Sequence, residues 1–199
     1  MNHLFASDYC TKLSKPLETS SGLTRFISDS NITLFSSEEH STLSIINQFL
    51  EQDQTGEPFF IVNLAEIVKL YNDWKTYLPN VEPFYAVKCC PDLMIINTLG
   101  ALGCGFDCAS KTEILDVLSF GIPSSKIIYA NPIKDVHSLK FAKSQDIDMM
   151  TFDNEYELYK IKENHPNAKL VVRIKTDDSK SVFKFSTKFG CTLEEAMEL

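Results

Sequence analysis

A chain of 199 residues, 44% apolar and 23% charged, has the make-up of an ordinary globular protein, long enough for one good core and a small extra lobe. Its net charge of −8 argues against non-specific nucleic-acid binding, and no stretch approaches the length of a membrane span. Residues 1–9 lack the basic and apolar regions of a signal peptide, so a cytoplasmic protein is expected. The six cysteines (Cys10, Cys89, Cys90, Cys104, Cys108, Cys191) show no paired C-x-x-C spacing and no clustered histidines. Reduced thiols rather than a zinc site are expected.

Residues 1–30 are mixed, Ser/Thr-rich around 14–21, and predict no firm element. A short strand is expected at 32–35, and Ser41 is placed to cap a helix through Leu50 whose apolar side is Leu43, Ile46, Phe49 and Leu50. A polar loop at 51–57 leads to a strand at 59–62. A helix over 64–77 follows, with Ile67, Leu70, Trp74 and Tyr77 at three- and four-residue steps.

The apolar run 83–87 then reads as a strand that stops on Lys88, with Phe84, Ala86 and Lys88 on one face. A helix is expected over 93–102 (Leu93, Ile95, Ile96, Leu99, Leu102), ended by Gly103. The strand after it, 105–109, points Gly105, Asp107 and Ala109 the same way. Ser110 with Glu113 three residues on reads as a capping box. A Lys and an Asp therefore stand at the exit ends of neighbouring strands, where parallel α/β folds place ligands. A Lys there is expected to be partly desolvated, which lowers its pKa and frees the amine as a nucleophile. Ala86, Gly105 and Ala109 leave room for a flat ligand. A solvated Lys and Asp trimming a strand end is the plain alternative.

Strands end at Lys88, Asp107, Asn131, Asp153 and Arg173. Helical segments are expected over 92–102, 111–120, 132–143 and 155–164, with Asn131 as N-cap and Pro132 at N1 of the third. Gly121-Ile122-Pro123 and His165-Pro166 read as stops. A period of roughly 20–25 residues with one strand and one helix each is the repeat of a parallel sheet. The pattern alone fits either a five-stranded doubly wound sheet or the first five units of a (β/α)8 barrel, which needs about 250 residues. Thr192 and Glu195 form another capping box close to the last residue, so a truncated chain is expected. His137 and His165 are expected at the surface.

AVKC at 86–89 followed by GFDCASKTE at 105–113 resembles the start of the catalytic barrel of eukaryotic ornithine decarboxylases, pyridoxal-phosphate enzymes of the alanine-racemase-like group. The resemblance continues through IIYANP, MMTFD, HPNAKLVVRI, TDDSK and KFG, from about residue 58 onward. It implies an α/β partial TIM barrel of about five βα units over 56–199, preceded by a segment, 1–55, that contributes to a β-rich second domain. It also implies pyridoxal 5'-phosphate as cofactor, with Lys88 as the Schiff-base lysine. Asp107 would be the acid that orders the lysine amine, Arg173 an active-site cation, and Ala86 a small residue near the cofactor ring. Glu113 occupies a family position near the lysine, although its cap explains it equally well.

The reaction implied for the complete protein is decarboxylation of ornithine to putrescine in polyamine synthesis, in a homodimer whose Lys188–Gly190 loop reaches toward the partner's site. Lys111, Lys140 and Lys160 would match basic positions where the regulator antizyme docks, although solvated lysines explain them too. Antizyme inhibitors, inactive relatives, resemble the chain almost as well but typically lose the acid at position 107, and lysine and arginine decarboxylases share the barrel. The family's cofactor-stacking His, phosphate-binding residues, pyridine-nitrogen acid and substrate-binding Cys-Asp pair lie past Leu199. The chain by itself is therefore expected neither to hold the cofactor tightly nor to turn over ornithine.

Overall fold

The computed structural model describes residues 2–6, 32–35, 41–52 and 56–199. The chain divides into two compact units, one of residues 1–82 with 92–103, the other of residues 83–91 with 104–199.

In the first unit, strands β1 (Asn2–Ala6), β2 (Ile32–Phe35) and β3 (Ile61–Asn63) form a parallel sheet in the order β2-β1-β3. The expected strand at 32–35 is there. The one expected at 59–62 forms at Ile61–Asn63 instead, the three residues that pair with Asn2, His3 and Leu4 of β1. Periodicity gives no sign of β1: it is short, and its partners lie far along the chain, His3 opposite Ile32 and Asn2 opposite Ile61. Most of residues 1–30 lies outside the described residues, as do 53–55 of the loop expected at 51–57, whereas Glu51 and Gln52, expected in that loop, are the last residues of the helix that precedes it.

Helix α1 (Thr42–Gln52) begins where Ser41 caps it, its Oγ accepting from the Ser44 amide at 3.1 Å. Helix α2 (Leu64–Tyr77) starts at Asn63, whose side chain accepts from the amides of Ala65 and Glu66. Helix α3 (Leu93–Ala101) starts at Asp92, whose carboxylate accepts from Met94 and Ile95. It buries Ile95, Ile96, Thr98 and Leu99 and stops before Gly103, which takes φ +85°.

The second unit is a five-stranded parallel sheet in the order β4-β5-β6-β7-β8. Its strands are β4 (Phe84–Ala86), β5 (Gly105–Cys108), β6 (Ile127–Tyr129), β7 (Met149–Phe152) and β8 (Lys169–Val172). Helices α4 (Lys111–Ser119), α5 (Val136–Ser144) and α6 (Glu155–Asn164) link β5 through β8, and α7 (Leu193–Glu198) follows the last long loop.

Sequential strand order decides between the two architectures the spacing allowed. A doubly wound sheet must reverse its order to place helices on both faces, and no reversal occurs. The arrangement is α/β with the strand order of a (β/α)8 barrel, five strands wide. One face carries Phe106, Cys108, Ile127, Tyr129, Met150 and Phe152, all buried, and the helices supply Ile114, Val117, Leu139, Ala142 and Ile161 to the same core. The other face carries the half-buried Ala86, Asp107, Ile128 and Thr151.

Two helix starts depart from expectation. Helix α5 begins at Asp135, whose carboxylate accepts from the Ser138 amide at 2.9 Å, and not at Asn131-Pro132. Asn131 instead closes a tight turn, its Oδ1 accepting from the Ile133 amide at 3.1 Å. At α4, Ser110 caps as expected, but Glu113 reaches one residue further back, accepting from the Ala109 amide at 2.7 Å. The reciprocal box forms at Thr192 and Glu195.

Candidate functional site

Lys88 does not end a strand. Strand β4 stops at Ala86, and Lys88 sits in the 3-10 turn Val87–Cys89 that follows. The turn buries Val87 and leaves Lys88 an exposed residue, where a longer strand would have carried it on along the face of Ala86. Its position, just past the carboxyl end of β4, is the expected one. Asp107 lies on β5, with Ala86 as its partner across the ladder. Arg173 follows β8 directly.

Lys88 and Arg173 line a single open cavity of about 960 Å³, together with Ala109, Ala130, Asn131 and Pro132 at the strand ends and Phe183, Phe185 and Phe189 from the last loop. Ala86, Asp107 and Glu113 are not among its lining residues. Asp107 is linked to it electrostatically: burial pushes its carboxyl above the usual range, the Lys88 charge opposes this, and Glu113 adds to it. One oxygen of Asp107, Oδ1, is buried and has no hydrogen-bond partner in the protein. Burial likewise pushes the neighbouring Cys108 thiol up to about 12, which leaves it inert at neutral pH.

The Arg173 side chain is held by two partners. Its Nε and Nη2 donate to the two carboxylate oxygens of Asp153 at 3.0 and 2.6 Å, and its guanidinium lies 4.7 Å from the centre of the Phe189 ring.

Residues 64–199 match the pyridoxal binding domain of the pyridoxal-dependent decarboxylases. The chain belongs to that family. Ornithine decarboxylase of Mus musculus is 50% identical over 149 residues, 75% of this chain and 32% of that protein. Antizyme inhibitor 2 of Xenopus laevis is 46% identical over 155 residues, 78% of this chain and 34% of that protein. Among solved structures, the arginine decarboxylase of Paramecium bursaria Chlorella virus aligns with a TM-score of 0.75 at 35% identity, covering 78% of this chain and 42% of that one. The chain thus spans about a third of the length of the curated relatives it matches.

Pyridoxal phosphate is the cofactor of this pyridoxal-dependent decarboxylase domain, and the residues present fit its reactive end. An accessible primary amine, Lys88, stands at the mouth of a roomy cavity, and the unpartnered Asp107 oxygen is an acceptor with no donor of its own. Glu113 holds the Ala109 amide and completes the helix start, a structural duty, while its charge acts on Asp107 from a distance.

Two groups of residues escaped the sequence reading. Lys134 is fully buried, donating to the carbonyls of Asn131 and Thr151 at 2.9 and 2.7 Å and pairing with Glu157 at 2.9 Å. Glu157 also accepts from the Lys134 amide and pairs with Lys160 at 2.5 Å. This pair ties the ends of β6 and β7 together under the Asn131-Pro132 segment. Asp153 is the other: expected only as a strand end, it binds Arg173 and also accepts from the Gly190 amide at 3.1 Å. Nothing local marks either group, because each pair is made across different βα units.

Of the remaining residues, His137 is exposed, but His165 is 3% exposed, a correction. As the C-cap of α6 it turns inward, its Nε2 3.2 Å from the Ile147 carbonyl oxygen. Lys111 lies over the Phe141 ring at 4.7 Å and Lys160 is engaged by Glu157, whereas Lys140 is exposed.

Proposed function

We propose that the polypeptide carrying this sequence is a decarboxylase of basic amino acids, with ornithine as its substrate and putrescine as product. The observation that carries the reading is Lys88, set just past the end of β4 within electrostatic reach of Asp107 on β5 and lining one open cavity together with Arg173. When bound, pyridoxal phosphate supplies the electron sink that accepts the pair released as CO2 leaves. The protein's own residues do the rest. Lys88 Nζ would tether the cofactor and, when not so engaged, could carry a proton. The Asp107 carboxylate, which feels the Lys88 charge, would help to keep that amine in order. Arg173, locked by Asp153, presents a fixed positive charge to the cavity.

Roughly half identity to ornithine decarboxylases supports ornithine over lysine or arginine. The polyamine pathway, a homodimer and a cytoplasmic location follow as parts of the same proposal. A second reading, a non-catalytic binder of antizyme, is favoured by the similarity to an antizyme inhibitor. Asp107 opposes it, since such relatives typically lose that acid.

In the full-length protein, Lys88→Ala is expected to abolish CO2 release from ornithine. Borohydride reduction of the wild type is expected to leave the pyridoxyl label on Lys88. A label on another side chain, or undiminished turnover in the variant, refutes the assignment. Antizyme capture without any CO2 release selects the second reading.

A further inference from the structure

The segment from Ile174 to Gly190 leaves the rim at the end of β8 and returns to it. A backbone bridge between Ile174 and Cys191 closes its base. Gly190 makes the return possible: it takes φ +82°, and a Cβ there would come within 2.7 Å of the Ile174 carbonyl carbon. Near its base the loop is cross-linked by Asp178, whose carboxylate accepts from the Ser186 amide at 2.9 Å and from the Ser186 hydroxyl.

One side chain outside the loop holds both of its ends. The Asp153 carboxylate accepts three N–H groups: two from Arg173, at the loop's departure, and one from Gly190, at its return. Asp153 is largely buried, with 16% of its side chain exposed, so these bonds form where water competes poorly. Phe189, next to the held Gly190, lies against the Arg173 guanidinium and stacks on Phe185, with ring centres 6.4 Å apart. Arg173, Phe185 and Phe189 all line the cavity that Lys88 opens into.

We propose that Asp153 is a positioning residue: by binding Arg173 and Gly190 with one carboxylate, it sets the guanidinium and the Phe185/Phe189 wall at the geometry the cofactor cavity requires. The inference rests on the reading of this cavity as the pyridoxal phosphate site. Asp153 acts through Arg173 and the loop, and it does not line the cavity itself. Because the fork is charge-assisted and bidentate, an amide in its place turns an N–H toward the guanidinium and loses one of the two parallel bonds. The Ile174–Cys191 bridge remains, so the loop base survives while its register against Arg173 is released.

The test uses the full-length protein as wild type, Asp153→Asn, Asp153→Glu, Arg173→Ala and the Asp153→Asn/Arg173→Ala pair, each checked for folding by circular dichroism. The first readout needs no cofactor. Lys180, Lys184 and Lys188 are exposed in the loop, and limited trypsinolysis of the apoprotein is expected to cut there about fivefold faster in Asp153→Asn, with partial protection regained in Asp153→Glu. Asp107→Asn, which neutralises a rim acid that does not touch the loop, is expected to cut at the wild-type rate. The second readout is pyridoxal phosphate affinity, expected to fall about tenfold in Asp153→Asn, as loss of a charge-assisted bond predicts. On an Arg173→Ala background the same change is expected to add less than about twofold, because the partner it acts through is gone.

Wild-type cleavage and affinity in a folded Asp153→Asn protein overturn the proposal, as do additive effects in the pair. A wild-type protein that takes up no pyridoxal phosphate defeats the site reading instead, and the cleavage result then judges the Asp153 contacts alone. If Asp153→Asn does not fold, Arg173→Lys takes its place, since it keeps the charge and loses the fork. An unchanged loop in that variant also counts against the proposal.

Discussion

Desolvation and the Lys88 charge pull Asp107 in opposite directions, and desolvation is the larger. The folded-state pKa is therefore above the ordinary 3.8, and the sign of the consequence follows. Below that value the carboxyl is protonated in both folded and unfolded chains, and its contribution to stability is fully present. As pH rises through the folded pKa, the unfolded chain ionises first and the contribution is lost. Ionised Asp107 thus works against the fold at neutral pH, and its unpartnered Oδ1 adds to the cost. Asp107→Asn in the full-length apoprotein is expected to raise the thermal midpoint at neutral pH and to lose that advantage as pH falls toward about 4. The same variant is expected to be strongly impaired in turnover. A midpoint difference that does not change between those pH values, or an unimpaired enzyme, contradicts the electrostatic account. A buried carboxylate that costs stability and feels the charge of Lys88 has the pattern of a functional group, not of a structural one.

Helix α5 shows where element boundaries outrun sequence pattern. Asn131-Pro132 has the composition of a helix entry, yet the chain takes one more turn before the helix starts at Val136. The reason lies in a neighbouring unit: Lys134 must point inward to meet Glu157 and two strand-end carbonyls, and a helix begun at Pro132 would not leave it there. Asp135 then inherits the cap, accepting from both the amide and the hydroxyl of Ser138 at 2.9 and 2.6 Å. Asp135→Ala is expected to lower stability by about 1 kcal/mol and to speed amide exchange in the first turn of α5. Asn131→Ala is expected to leave that turn protected, and the reverse pattern in hydrogen exchange counts against this assignment of the cap. Helices α2 and α6 and the cap at Ser110 are governed by local periodicity and capping chemistry, and these were legible from the residues alone, whereas the caps at Asn63 and Asp92 come from the structure. The Lys134–Glu157 pair and the Asp153 clasp were not legible, because a buried ion pair across two βα units leaves no local trace.

At the scale of the whole sheet, the repeat of strand and helix could be read directly, and so could the residues at each strand end, since a parallel sheet aligns them on one rim. What the repeat could not tell was the state of the outermost strand. In β5, β6 and β7 one face is buried against helices, but in β8 Leu170, Val171 and Val172 are 39%, 40% and 37% exposed, so the strand is only part-covered on both faces. An apolar edge strand with two part-exposed faces is a template for association. Relatives about three times as long offer a simple resolution, in which further chain pairs with β8 and buries it. Val171→Lys separates the two situations. In the isolated 199-residue chain a charge on the part-exposed strand is expected to reduce concentration-dependent self-association, seen by size-exclusion chromatography and dye binding to apolar surface. In the full-length protein the same lysine would be buried, and it is expected to destabilise the fold by several kcal/mol, about 2–4. An equal and small effect in both would mean that β8 stays open in the complete molecule, and that the cavity between Lys88 and Arg173 is never closed into a ring.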